Sequence, residues 1–181
     1  GTRYSAAVPP PPVDIRNIRD MPKALAHFVD GRGLARRIKA PFFRAVVATS
    51  RVFEMPGVDA AGARIFWFTP NDACGKVFFA LSPMRMKDGS EGVYLDHFYT
   101  PEPGQGHGSR CLKNLCALAD FHGATICLNA EPEGDKPLDG ERLQRWYEKH
   151  GFVFDEAIGP KHQRGAVRRP VKDRRNAQER I

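Results

Sequence analysis

The sequence lacks the long apolar runs, paired cysteines and internal repeats that mark several classes of protein. No stretch approaches the roughly eighteen apolar residues of a membrane span, and the amino terminus has no charged-then-apolar signal pattern. The chain of 181 residues has four cysteines, and no two of them form a Cys-x-x-Cys pair. We therefore expect one globular domain in a reducing, cytoplasmic compartment, with buried thiols, no metal and no membrane partner.

Excess positive charge is scarce outside the last part of the chain. The net charge is +7, and residues 160–181 contain eight lysines and arginines against two acidic residues, a net of six. The rest of the chain is therefore nearly neutral. We interpret 160–181 as a basic C-terminal strand and tail. It either contacts a polyanion through phosphate neutralisation or is a solvated terminus, since no aromatic residues are interleaved for base stacking.

The first half of the chain reads as an arm, a helical region and a meander of strands. Residues 1–12 end in four prolines, which predicts a proline-rich arm before a folded domain at 13–159. Apolar spacing over 14–38 indicates one or two short helices. Turn residues then separate three strand-like runs that we expect to be antiparallel neighbours: 42–53, 63–69 and 76–81.

A strand, a glycine-rich loop, a helix and a second strand follow. The run 93–100 alternates, which predicts Val93, Leu95 and His97 on one face and Tyr94, Asp96 and Phe98 on the other. Apolar residues at helical spacing predict a helix over 109–122, with Gly123 in a left-handed cap. Residues 125–130 read as a short buried strand.

The loop between that strand and helix reads Pro-Gly-Gln-Gly-His-Gly-Ser over residues 103–109. Three glycines within five residues let the backbone approach an anion closely, and the first amides of a helix have no partner inside it. The segment is therefore a candidate phosphate cradle; the alternative is a flexible turn.

A last helix is predicted from Asp139, and it carries Leu143, Trp146 and Tyr147 before Gly151 ends it. The segment around its end reads Trp-Tyr-Glu-Lys-His-Gly-Phe over residues 146–152. Residues 152–154 and 166–168 are plausible final strands.

The glycine loop and the Tyr-Glu-Lys-x-Gly-Phe pattern together resemble the GNAT N-acetyltransferase superfamily, over about residues 93–156. The resemblance implies an α+β fold with a mixed, mostly antiparallel twisted sheet flanked by helices. It also implies acetyl-CoA as cosubstrate. Two departures put cofactor contacts in doubt: Pro103 stands where the family has arginine or glutamine, and Gly140 where it often has asparagine.

Site residues follow from the resemblance. The loop would hold the CoA pyrophosphate through its backbone, and the main chain near Phe98 and Tyr99 would polarise the thioester carbonyl. Tyr147 would protonate the departing thiolate, because a phenol of pKa about 10 matches a thiol of about 8.5; the alternative is a core aromatic. The loop residues are Gly104, Gln105, Gly106, His107, Gly108 and Ser109.

The base that takes the amine's proton stays open among His97, Asp96 and Glu102, any of which could instead be structural. The favoured function is N-acetyl transfer to a primary amine, directly in a ternary complex. The acceptor is a protein, a small molecule or a nucleic-acid-linked amine. The alternative is a catalytically inactive module that keeps this fold and uses its basic tail.

Overall fold

The structure, a computed structural model, describes residues 40–58, 64–86, 88–130, 140–154 and 165–171. The arm at 1–12, the helices predicted within 14–38 and the insert at 131–138 lie outside these residues. The basic tail beyond residue 171 also lies outside them. No helix in the described ranges is long and apolar enough to cross a bilayer.

The described part of the chain forms one seven-stranded sheet with helices packed on it. The strand order is β1-β2-β3-β4-β5-β7-β6. The pair β4–β5 is parallel, and every other neighbouring pair is antiparallel. This confirms the predicted fold class. The elements are α1 (Ala40–Ala48), β1 (Ser50–Val58), β2 (Arg64–Pro70), a 3-10 turn (Asn71–Ala73), β3 (Phe78–Arg85), β4 (Glu91–Tyr99), α2 (His107–His122), β5 (Ile126–Asn129), α3 (Gly140–Lys149), β6 (Val153–Phe154) and β7 (Gly165–Arg168).

The first predicted strand, 42–53, is wrong in its first half, because residues 40–48 form helix α1. Phe42, Phe43 and Val46 are buried, while Arg44 is exposed. These positions fit one face of a helix that contacts α2. A short apolar run rich in aromatic and β-branched residues does not distinguish helix from strand. Packing against α2 decided the outcome.

The unit β4–α2–β5 agrees with the prediction, although α2 begins at His107 rather than Ser109. Gly123 ends it in the left-handed region, with φ of 67°. The amide of Ala124 donates to the carbonyl of Ala119 at 2.8 Å, which closes the cap. The helix therefore returns the chain to β5, parallel to β4.

The alternation predicted along β4 is wrong beyond Leu95, because Asp96 is a β-bulge. Ala80 of β3 is opposite His97, whereas Leu81 is opposite Leu95, so Asp96 is the extra residue. A bulge exchanges the faces of all the residues after it. Phe98 therefore joins Leu95 in the core beneath α2. His97 and Tyr99 lie on the other face, against Trp67 and Phe78 respectively.

The strand predicted at 166–168, within the basic segment 160–181, is present as β7 (Gly165–Arg168). Strand β7 pairs with both β5 and β6. Arg168 is only 5% exposed, and its guanidinium makes two hydrogen bonds to Asp120, at 2.8 and 2.9 Å. This arginine, counted among the basic residues of 160–181, is therefore part of the fold.

Candidate functional site

The sheet opens where β4 and β5 stop pairing. Their parallel ladder joins Val93–Leu95 to Ile126–Leu128. Strand β4 then continues through the bulge to Tyr99, whereas β5 ends at Asn129. Phe98 and Tyr99, predicted to lie at a splayed point of the strand, are therefore beyond the last ladder pair. Among the residues that the structure describes, this part of β4 therefore borders a gap between the two strands.

The glycine loop leads from that gap into α2 through two left-handed residues. Gly104 has φ of 90° and Gly106 has φ of 78°, a region that side chains disfavour. The first helical hydrogen bond joins the amide of Arg110 to the carbonyl of Gly106 at 3.1 Å. The amides of residues 107–109 therefore have no carbonyl partner within the helix. Gly104, Gln105, Gly106 and Ser109 are exposed, and His107 and Gly108 are partly so.

Gly108 is needed for a different reason, which is close approach. A Cβ atom there would lie 3.2 Å from Cγ2 of Thr100 and 3.5 Å from Cε1 of Phe98. Both neighbours belong to the end of β4 or its continuation. A side chain at residue 108 would therefore require Thr100 or the helix start to shift by a few tenths of an ångström.

Trp146 of α3 joins the two sequence motifs, and sequence reasoning gave it no role. Its indole Nε1 donates to Oγ of Ser109 at 3.0 Å. Its ring is 5.6 Å from that of Phe98. A tryptophan beside the motif tyrosine was the available signal, but its spacing also fits a core position. The helix that carries Tyr147 is thereby tied to the glycine loop.

Tyr147 itself is 6% exposed and belongs to the main core. Its ring packs against Trp146 at 4.8 Å and Phe152 at 5.4 Å. These are the contacts of the alternative that the sequence left open, a core aromatic. The Tyr147 ring is nevertheless adjacent in sequence to Trp146, whose indole contacts Ser109 of the loop.

Arg110 adds positive charge to the loop and was also missed. Its Nη2 lies 2.9 Å from Nδ1 of His107. Its Nη1 would be 3.1 Å from a Cβ placed on Gly106, so the guanidinium lies over that glycine. The N-terminal end of a helix already carries partial positive charge, and Arg110 reinforces it. An arginine in a first helical turn is too common a feature to have been a signal.

The candidate bases separate into one pair and one isolated residue. Nε2 of His97 lies 3.8 Å from Oδ1 of Asp96, and their side chains are 11% and 34% exposed. Glu102 is 68% exposed and lies 3.8 Å from Nζ of Lys76. Asp96 and His97 thus share a sheltered location, whereas Glu102 forms a surface ion pair. His97 lies on the sheet face opposite the core that contains Tyr147.

The expectation of buried thiols holds for three of the four cysteines and is wrong for Cys74. All four cysteines are free thiols; Cys74 is exposed, and Cys111, Cys116 and Cys127 are buried. Burial, with smaller contributions from the charges of Asp72 and Cys116, raises the pKa of the Cys111 thiol to about 12. That thiol is protonated at neutral pH. Within the described ranges, no three His, Cys, Asp or Glu side chains form a group that could hold a metal ion.

No protein-family model matches the chain, and no curated protein matches it. Among solved structures, the chain is similar to Arabidopsis thaliana Naa50 in complex with the bisubstrate analogue CoA-Ac-MVNAL, at 20% identity over 57% of this chain and 69% of that one, with a TM-score of 0.38. It is also similar to the Bacillus subtilis N-acetyltransferase YlbP in complex with coenzyme A, at 13% identity over 61% and 71%, with a TM-score of 0.39.

A third similar structure is named histone acetyltransferase HPA2 and related acetyltransferase, from Corynebacterium glutamicum. It is 16% identical over 88% of this chain and 94% of that one, with a TM-score of 0.40. At these identities and scores the matches carry no functional assignment.

Proposed function

We propose that this protein is a GNAT-type N-acetyltransferase that moves an acetyl group from acetyl-CoA to a primary amine, directly in a ternary complex. The observation that carries the proposal is the loop of left-handed glycines that opens α2 immediately after the gap between β4 and β5. It offers free backbone amides under a guanidinium at the carboxyl end of a parallel strand pair. Ligands bind there in open α/β units.

The donor's pyrophosphate fits the chemistry of the loop. The amides of residues 107–109 would donate to phosphate oxygens, and the guanidinium of Arg110 would supply a full positive charge. The close packing of Gly108 brings the helix start against β4, so that a ligand at the amides also reaches the strand. Arg110 thereby offsets the arginine or glutamine that Pro103 replaces.

The acetyl group would lie along β4 beyond its last pair with β5. A main-chain amide at an unpaired edge can donate a hydrogen bond to a thioester oxygen. Successive amides of a strand point to opposite edges, so we assign this role to the one amide of the pair Phe98 and Tyr99 that faces the gap. Their strand is held by pairing with β3, in which Phe79 is opposite Phe98 and Phe78 is opposite Tyr99. The donor is therefore fixed before the substrate binds.

Protons move on both sides of the sheet in this proposal. The acceptor amine would lose its proton to His97, which lies beside the Asp96 carboxylate and has an imidazole suited to neutral pH. The thiolate of CoA would take a proton from Tyr147, on the core side. The gap between β4 and β5 gives the two reactants access to each other. We take transfer to be direct, and this is supported by the burial of Cys111, the cysteine nearest to the loop in sequence, whose raised pKa keeps its thiol protonated.

A second function, a binding module that keeps the fold without chemistry, is favoured by the burial of Tyr147. A phenol ring that is 6% exposed and packed between Trp146 and Phe152 has a structural use of its own. Tyr147→Phe separates the two functions. It keeps the packing, so a folded variant that binds acetyl-CoA but transfers at least tenfold more slowly supports the enzyme.

Calorimetric titration of acetyl-CoA into the full chain is the test. We expect saturable binding by the parent and at least tenfold weaker binding by Gly106→Glu/Gly108→Glu. Gly89→Glu is the control, since it adds a carboxylate at another exposed, left-handed glycine away from the loop. Absence of acetyl-CoA binding by the folded parent would overturn the proposal that the protein is an acetyltransferase. Equal binding by the loop variant would overturn the site.

A further inference from the structure

The sheet face opposite the main core carries a small aromatic cluster, and one member of it, Trp67, contacts His97. Trp67, Phe78 and Ala80 are all less than 10% exposed there, and Tyr99 packs against them. The His97 ring lies parallel to the Trp67 ring, with centroids 5.0 Å apart and an angle of 16° between the planes. The imidazole of the candidate base is thus stacked on an indole.

Ala80 makes this stack possible. It lies on β3 directly opposite Trp67 of β2 and His97 of β4, so it separates the two rings across the sheet. Strands two apart are about 9.5 Å from each other. Two rings on such strands meet only if both lean over a very small side chain. Ala80, 1% exposed, leaves just that space.

The bulge at Asp96 brings His97 to this face. If β4 kept regular alternation through residue 96, His97 would share the face of Leu95 and point into the main core. The same bulge places the Asp96 carboxylate 3.8 Å from Nε2 of His97. Asp96 is thus a charged group within ion-pair distance of the imidazole, on the same face as the Trp67 stack.

Tryptophan at position 67 lowers stability relative to a purely apolar side chain. Its Nε1 is buried and has no hydrogen-bond partner in the described structure. An unsatisfied buried donor costs stability, and phenylalanine would fill the site without one. The feature that tryptophan adds is the width of its ring face, against which the imidazole lies.

We propose that Trp67 is a positioning residue for His97: stacked over Ala80, it holds the imidazole in one orientation and one tautomer beside Asp96. The inference rests on the proposed function, in which His97 receives the proton of the acceptor amine. Trp67 acts through His97 and touches neither substrate.

The test is nuclear magnetic resonance of the histidine rings in the isotope-labelled full chain, with and without acetyl-CoA. His97→Gln assigns the signal. In the parent we expect the His97 Hε1 proton to be shifted upfield by the indole, the ring nitrogens to report one tautomer, and saturation with acetyl-CoA to move the signal. In Trp67→Leu the proton moves downfield and the nitrogens report a mixture of tautomers.

Two further variants keep the test decisive if Trp67→Leu folds poorly. Trp67→Phe retains an aromatic face and no unsatisfied donor, so it should keep most of the upfield shift and the single tautomer. Ala80→Val keeps both rings but fills the space under them, so it should move the His97 signal as Trp67→Leu does.

An unchanged His97 spectrum in folded Trp67→Leu or Ala80→Val would overturn the positioning role. A His97 signal that ignores bound acetyl-CoA would overturn it as well, while leaving the acetyltransferase standing. Failure of the parent to bind acetyl-CoA by calorimetry would instead remove the proposed function, and this inference with it.

Discussion

The two ends of helix α2 are built in opposite ways. At the carboxyl end, Gly123 closes the cap, and Asp120 accepts two hydrogen bonds from Arg168 and one from the amide of Val171. Arg168 also donates from Nε to the carbonyl of His150 at 2.7 Å. At the amino end, a glycine in the left-handed region begins the helix, and no side chain caps it.

The difference separates a structural end from the end to which we assign cofactor binding. A helix whose carboxyl end is satisfied inside the protein contributes to stability there. The amino end, which leaves its first amides without helical partners at an exposed loop, costs stability unless a ligand or water satisfies them. Changes at the two ends should therefore affect different measurements.

The largest effect should come from breaking the carboxyl end with Asp120→Ala. It leaves the Arg168 guanidinium buried without its carboxylate, and we expect a loss of about 3 kcal/mol in the free energy of unfolding. Acetyl-CoA affinity of the folded fraction should not change. Denaturant unfolding and calorimetry measure the two quantities, and Asp120→Asn, which retains part of the hydrogen bonding, should lose less. A loss below about 1 kcal/mol would show that the pair is not structural.

The same substitution at the two glycines sharpens the contrast. Gly108→Ala places a methyl group 3.2 Å from Thr100, which pushes the helix start away from β4, so acetyl-CoA should bind roughly tenfold more weakly, about 1.4 kcal/mol. Gly123→Ala meets no atom within 4 Å but is strained by its positive φ of 67°. It should cost about 1 kcal/mol of stability and leave the affinity unchanged. Equal affinity in both variants would contradict the assignment of the loop.

The smallest effect concerns His150, whose carbonyl accepts a hydrogen bond from Arg168. Burial first, and then the charges of Arg168 and Lys113, lower the pKa of His150 from its ordinary value of 6.5. The unfolded chain then binds a proton that the folded chain does not, so stability falls as pH falls from 6.5 toward the lowered pKa and is unaffected by this group above 6.5. His150→Gln removes this dependence.

We expect the parent to lose about 0.5 kcal/mol relative to His150→Gln over that window, a value kept small because solvent reaches much of the ring. Unfolding free energies at pH 7.5 and at pH about 5.5 measure it. Parallel pH curves for the two proteins would show that the pKa of His150 is the same in the folded and the unfolded chain.

Sequence reasoning succeeded where a pattern is local. The glycine-rich loop, the left-handed cap at Gly123 and the strand–loop–helix–strand order all follow from backbone preferences and short-range spacing. It failed over residues 40–48, because an apolar run of that length suits a helix or a strand equally well. It failed again after Leu95, because one bulge residue exchanges the faces of everything that follows.

The features of the candidate site also separate into those that a local pattern predicts and those that depend on distant residues. Three glycines at 104, 106 and 108 predicted the loop, and the left-handed backbone at Gly104 and Gly106 is a conformation that glycine adopts readily. Trp146 on Ser109, Arg110 over Gly106 and Trp67 on His97 carry no such mark in the sequence. Two of these contacts join residues 37 and 30 positions apart, through helix packing and sheet register.

By itself, then, the sequence determined where the chain turns, where helix α2 is capped and where glycines allow left-handed backbone, because those are properties of a few consecutive residues. Only the tertiary structure decided which helix end is closed by Arg168 and which side chains surround the glycine loop. It also decided on which face His97 lies. These depend on strand pairing and on what the burial of each side chain costs, to which residues distant in sequence contribute together.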